Sequence, residues 1–454
     1  MDASIHRTQV DLSGLMRVLG QHLYSTPNVV VRELIQNAHD SCVRRAAADP
    51  EPPTPLIRVT ADHEGGRLHV EDNGAGLTAE EIERYLAVIG RGQTGESREE
   101  GVEGLIGLFG LGFLSAYVVA EATEVWTASH RTPDECWRFT SRSGQTFTIE
   151  PGAARPVGTR VTLTLKPGHR DLARPSVLSA LVRRFCCLLP IEVELTHARG
   201  EDARVGASTP PWRAPERSPL RRRALSLEFA RRFEAGFEPL CTLPIEGDEL
   251  VGGTLWIQDG SSYGNADNRR VSLFVRGMLI TDDARWLLPD WATFMGAVIE
   301  SDALAPTASR EDVQRDAVFD RVRAAIARAL LRGLGELSSR EPATWRRVLR
   351  RHNEALLGAS LCDPRLFELV ADQLTVPTSM GDLHAQVVLR RAGGTIHVSQ
   401  AQRSGVEALM FRARAIPVVR GTRYGALAFC REFTRARGGG LHIIGEREDP
   451  ALLG

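Results

Sequence analysis

Apolar residues at Leu12, Leu15, Met16, Leu19 and Leu23 recur at helical spacing, after a short alternating piece from Thr8 to Leu12 that reads as a strand. Pro27 and Asn28 break this pattern, and a second helix is predicted to start there over Val29 to Cys42, VVVRELIQNAHDSC. In that helix Glu33, Asn37 and Asp40 stand at i, i+4 and i+7 and form one polar stripe. Val30, Leu34, Ile35, Ala38 and Cys42 supply apolar surface to pin it to a core. The stripe is either the wall of a pocket or a solvated face, and spacing alone favours the solvated face.

Beyond the loop AAADPEPPTP, two strands are predicted in LIRVTADHEGGRLHVEDNGAGLT, joined at Glu64-Gly65-Gly66, the second delivering Asp72 to a glycine turn. Thr78 and Glu81 have capping-box spacing ahead of the helix TAEEIERYLAVIG. A glycine-punctuated loop from about Gly90 to Gly112 then feeds a run of helix formers. Strand-like EVWTAS, CWRFTS, QTFTIEP and GTRVTLTLK follow, and LSALVRRFCCLLP with IEVELT closes the first unit. From 198 to 223 the composition turns to Pro, Arg, Gly and Ser, which predicts a linker. Next come strand-like PLCTLPI, GTLWIQD and VSLFVRGMLI and a long helix near Val318 to Leu337. A last unit from about Pro342 places GTIHVS, IPVVRG and LHIIG around the helix GALAFCREFTRAR.

Composition narrows the function classes. With 454 residues, 43% hydrophobic content and a formal net charge of −1, the chain reads as multidomain, with no global charge directed at nucleic acid or an anionic membrane. Its seven cysteines are scattered, odd in number and lack C-x-x-C spacing, which indicates neither a disulfide framework nor a zinc site. No signal pattern or membrane-spanning apolar run is evident, so a cytoplasmic location is expected. Lys166 is the single lysine.

Three further stretches can carry chemistry. In Asp72-Asn73-Gly74-Ala75-Gly76 a carboxylate after a strand, with glycines permitting close approach, can accept a hydrogen bond from a purine amino group; the same letters also compose an ordinary tight turn. Gly107-Leu108-Phe109-Gly110-Leu111-Gly112, directly ahead of FLSAYVVA, can turn backbone N–H groups towards an anion, but it lacks a Walker lysine and follows no first strand. In Gly158-Thr159-Arg160-Val161 the Thr159 hydroxyl can join a nucleotide site, although threonine in a strand is unremarkable.

In combination and in this order, VVVRELIQNAHDS, EDNGAGLT, IGLFGLGFLSAY and GTRVTLTLK resemble the GHKL ATPases, most closely the ninety-kilodalton heat-shock chaperone family. FVRGMLITDDARWLLPDWATFMGAVIESDALAPTASRE is similar to that family's middle domain, with the SRE triplet at Ser309-Arg310-Glu311. The resemblance implies an α+β fold: a GHKL (Bergerat) α/β sandwich over 1–197, the linker at 198–223, and a middle domain of ribosomal-S5-like character over 224–341 carrying Arg310. A small helical and α/β subdomain would occupy 342–454, with no evident C-terminal dimerisation domain.

It further implies ATP and Mg²⁺ as ligands. Glu33 would be the general base and Arg310 would reach the terminal phosphate from the second domain. Asn37 would hold Mg²⁺, Asp40 would approach the nucleotide and Asp72 would read adenine beside Gly76 and Thr159. Gly107, Gly110, Leu111, Gly112 and Phe113 would cradle the phosphates beneath a lid. Position 108 is leucine where the family commonly has glutamine. The function implied is that of an ATP-driven chaperone acting on client proteins, with an ATP-induced homodimer as a possible assembly. The alternatives are a nucleotide-gated scaffold with little turnover and a DNA-acting ATPase of MutL or gyrase type, which the missing second-domain lysine disfavours.

Overall fold

The computed structural model describes residues 26–86, 105–106, 112–142, 144, 146–197, 203–206, 209–213, 218–260, 267–307, 309–400, 410–411, 413–423 and 425–444. The strand and helix expected over 8–25, the lid apart from 105–106 and 112, and with it Gly107, Gly110 and Leu111, lie outside them. The chain forms two compact units. The first combines the described residues up to Arg213 with Leu273–Thr281 and Glu300–Asp316; the second holds Ala214–Ser272, Asp282–Ile299 and the remainder from Ala317.

In the first unit, helix α1 (Val29–Ala48) is followed by strands β1 (Ile57–Asp62) and β2 (Arg67–Asp72), helix α2 (Ala79–Tyr85) and helix α3 (Leu114–Val119). Strands β3 (Ala120–Ala128), β4 (Cys136–Ser141), β5 (Phe147–Pro151) and β6 (Gly158–Leu165) come next, then helix α4 (Pro175–Cys186) and strands β7 (Val193–His197) and β8 (Ala203–Val205). The eight strands form one sheet in the order β5-β4-β3-β6-β2-β1-β7-β8. β1 and β7 run parallel, and the other recorded pairs are antiparallel. The period-2 pattern that predicts β1 appears as strict alternation of buried and half-buried positions, because only one class of side chain meets the helices. Helix α1 packs against β2, α3 and α4.

The capping box at α2 forms as expected: Thr78 Oγ1 accepts from Glu81 N, and Thr78 N donates to the Glu81 carboxylate at 2.9 Å. VSLFVRGMLI, read as one strand-like piece, is a hairpin turning at Arg276 and Gly277, both with positive φ (52° and 77°). Arginine is an uncommon occupant of such a turn, and Arg276 N donates to Asp302 Oδ1 at 2.7 Å to fix it. The stretch expected to be a linker holds β8 and, from Pro219, the first turn of a helix running to Phe233. Ser218 caps that helix and Pro219 starts it, so residues that resemble linker composition serve as a helix start.

The second unit contains an antiparallel pair, Pro239–Ile245 with Gly252–Gln258, packed on the long helix Ala317–Arg340. A buried Glu234 accepts from Trp256 Nε1 at 3.0 Å and Gln258 Nε2 at 2.8 Å. Farther along, five short strands form a mixed sheet in which Thr395–Ser399 lies parallel to both Val418–Arg420 and Gly440–Ile444. The mixed α+β class expected from the sequence is what the chain adopts.

Gly76 sits at φ +65°, where an added Cβ would run into the Ala128 carbonyl. Gly76→Ala is therefore expected to lose about 2 kcal/mol or more of stability, measured by urea unfolding; an unchanged midpoint would show that the turn can relax.

Candidate functional site

Between Val29 and Cys42 every residue of α1 is buried except Asn37. The polar stripe is therefore not a solvated face: Glu33 (1% exposed) and Asp40 (1%) are enclosed within the unit. Asn37 stands exposed one turn beyond Glu33, and its side chain makes no hydrogen bond within the described structure.

Glu33 lies at the centre of an ion cluster. Arg32 donates to Glu33 Oε1 from Nε at 3.2 Å and from Nη2 at 3.1 Å, while Arg310 Nη1 donates to Oε2 at 2.5 Å. Arg310 Nη1 also donates to Gln36 Oε1. Arg32 holds the chain that presents Arg310 as well, donating to the carbonyls of Ser309 (3.0 Å) and Arg310 (2.9 Å). Arg310 has φ +55°, a conformation that side-chain-bearing residues rarely adopt, and its N–H donates to Thr307 O at 2.9 Å. Expected to reach over from a second domain, Arg310 clusters with the first unit. Gly112 approaches the same carboxylate, and a Cβ placed there would come within 2.5 Å of Glu33 Oε2.

Asp72, 8% exposed at the end of β2, lies towards the other end of α1. Its Oδ1 accepts from Ser41 Oγ and Gly74 N, both at 2.9 Å, which leaves Oδ2 open as an acceptor. Burial lifts the pKa to about 6; the two hydrogen bonds and the positive charges of Arg44 and Arg155 oppose the rise. Thr159 faces Asp72 across the β2/β6 ladder, so the two side chains share one face of the sheet. The Thr159 hydroxyl lies 3.1 Å from that of Thr127, which accepts from Leu77 N at 2.8 Å. Asp72 and Thr159 thus bring a carboxylate and a hydroxyl to one corner of the sheet, and Gly76 packs on the Ala128 carbonyl of β3.

Two expected members sit differently. Asp40 Oδ1 accepts from Ile106 N at 2.7 Å and pairs with His39, so Asp40 anchors the chain just before the glycine run. The Phe113 ring packs edge-on to Tyr117 and Phe139 within the apolar cluster of Leu77, Ile82 and Val125, leaving its backbone as the part that can face a ligand. Arg32, Gln36 and Arg44 belong to the site, although periodicity does not mark them. Arg44 lies among Asp40, Asp72 and Glu81; burial lowers its pKa against their opposing charges, and its Nε has no hydrogen-bond partner. The lone Lys166 is engaged, donating from Nζ to the carbonyls of Tyr117 and Val118 at 2.8 Å. Among the described residues no cluster of His, Cys, Asp or Glu could hold a metal by itself, and no helix is long and apolar enough to cross a membrane.

Comparison with known proteins accords with this layout. Residues 24–146, which contain α1, β2 and the glycine run, match the family described as Histidine kinase-, DNA gyrase B-, and HSP90-like ATPase, and residues 258–356 match Hsp90 protein. In these two stretches the chain is similar to Hsp90 proteins. Among its Hsp90 relatives, the Chaperone protein HtpG of Methylorubrum populi is 30% identical over 362 residues, covering 75% of this chain and 57% of the relative. That of Paramagnetospirillum magneticum is 30% identical over 353 residues (73% and 55%), and that of Chlorobium luteolum 27% over 361 (74% and 57%). The chain thus spans a little over half the length of the curated relatives it matches.

The Asp72 carboxylate yields a stability prediction. Its raised pKa means that between about pH 4 and 6 the folded chain keeps a proton that the unfolded chain has lost, so the contribution to stability falls as pH rises through that window. Asp72→Asn, which retains the Oδ1 acceptor, is expected to gain about 1–3 kcal/mol at pH 7.5 and to lose this pH dependence in urea titrations. A loss of stability at pH 7.5 would contradict the assignment.

Proposed function

We propose that the chain is an ATPase of chaperone type that binds ATP along α1, hydrolyses it to ADP and phosphate, and couples the nucleotide state to the handling of client proteins. The observation that carries this is the pairing of two unlike ends on one helix. Asp72, docked through Ser41, offers an open acceptor at one end, while Glu33 and Arg310 lie together at the other. Glu33 and Ser41 are eight residues apart, about 12 Å along the helix axis, on the scale of a bound nucleoside triphosphate.

In this reading Asp72 Oδ2 accepts from the adenine amino group, with Thr159 beside it and the Gly76 turn packed on the Ala128 carbonyl next to them. Gly112, with the glycines at 107 and 110, Leu111 and the Phe113 backbone, surrounds the phosphates. Glu33 orients the attacking water and takes its proton, which requires Arg310 to leave the carboxylate. Arg310 then stabilises charge on the terminal phosphate. Asn37 suits Mg²⁺: its free amide can supply one hard oxygen donor to an ion that draws its other ligands from phosphate and water. When bound, that ion would neutralise phosphate charge. Residues 1–197 would be the nucleotide domain and 224–341 a middle domain, with client proteins and an ATP-induced second copy as partners and the cytoplasm as location.

A nucleotide-gated scaffold with little turnover draws on the same ion cluster, since Glu33 is blocked while Arg310 stays. Turnover measured against protein concentration separates the two: hydrolysis that rises with concentration supports the ATPase, and none at any concentration supports the scaffold. Glu33→Ala should bind ATP yet lose about a hundredfold or more in phosphate release, and Arg310→Ala should lower turnover with ATP affinity little changed. Full activity in Glu33→Ala would overturn the assignment.

A further inference from the structure

Gln36 faces inward from α1 and is 1% exposed. Its Oε1 accepts from Arg310 Nη1, the same nitrogen that donates to Glu33 Oε2. Its Nε2 is enclosed without a hydrogen-bond partner. Only an acceptor can face a guanidinium, so the amide oxygen must turn towards Arg310, and the orphaned NH₂ group is the consequence. A buried donor without a partner is costly, and an apolar residue would avoid that cost. The compensating bond is charge-assisted and goes to Arg310. Beside it lies a cavity of about 150 Å³ lined in part by Gln36, Arg32, Ile106, Arg276, Leu304 and Arg310, so the amide has space to rotate when the guanidinium leaves.

We infer that Gln36 is a positioning residue for Arg310: its amide oxygen holds the guanidinium on Glu33 in the resting site and yields it when a terminal phosphate competes. This rests on the nucleotide reading above. Gln36 then sets how readily Arg310 transfers, and with it the preference for a nucleotide carrying a terminal phosphate over one without.

The test is calorimetric titration of the full chain with Mg²⁺ and either ADP or a non-hydrolysable ATP analogue. Gln36→Leu, which keeps volume and removes the acceptor, should raise the affinity ratio of analogue to ADP about fivefold; Gln36→Glu, which replaces the amide with a carboxylate, should lower it. Should Gln36→Leu fail to fold, Gln36→Asn, too short to reach, serves in its place with the same expected rise. In an Arg310→Ala background these substitutions should leave the ratio unmoved, an outcome that a merely structural role for Gln36 would not produce. Equal ratios in the Gln36 variants and the unsubstituted chain, or shifts that persist without Arg310, would overturn the inference while leaving the nucleotide reading intact. Failure of the unsubstituted chain to bind either ligand would overturn the nucleotide reading itself, and the inference with it.

Discussion

A carboxylate enclosed between two guanidinium groups is the constraint on which the site depends. Glu33 is buried, and an unpaired buried charge costs several kcal/mol. Arg32 and Arg310 satisfy its two oxygens, and Arg32 at the same time grips the backbone that presents Arg310. Removing one member would strand the others. The cluster therefore fixes helix α1, the SRE turn and the approach of Gly112 to one another, and it also determines what must move before the Glu33 carboxylate is free.

Helix α1 organises the rest of the unit because nearly all its circumference is covered. Its apolar residues meet the sheet and α4, while Ser41 reaches Asp72 and Asp40 secures the chain at Ile106. The same helix thus positions the acceptor at β2 and the segment that leads into the glycine run. Asn37 is left as its outward-facing polar group, suited to a ligand that the protein does not itself supply.

Much of this was legible in the sequence, for identifiable reasons. Strands β1 and β2 follow from the two strand-like runs joined at Glu64-Gly65-Gly66 and β6 from the alternation in GTRVTLTLK, the α2 start follows from Thr78 and Glu81, and the spacing of Glu33, Asn37, Asp72 and the glycines carried the family resemblance. Arg32 and Gln36 were not legible, since the segment both of them hold, at Ser309 and Arg310, lies more than two hundred and seventy positions away and no local period marks them. Asp40 was expected at the nucleotide but holds a backbone N–H, a role set by the path of a distant loop. The hairpin at Arg276-Gly277 and the helix that begins at Pro219 were hidden because arginine is an uncommon turn residue and because Ser-Pro before arginines resembles linker composition.

Base discrimination in equilibrium binding tests the central claim most directly. An open Asp72 oxygen should accept the amino group of adenine and repel the carbonyl that guanine presents at the same position. Calorimetric titration of the unsubstituted chain with ATP and GTP in Mg²⁺ is predicted to show binding of ATP and at least about hundredfold weaker binding of GTP. Equal affinity for the two, or binding of neither, would contradict a nucleotide site built on α1 and Asp72.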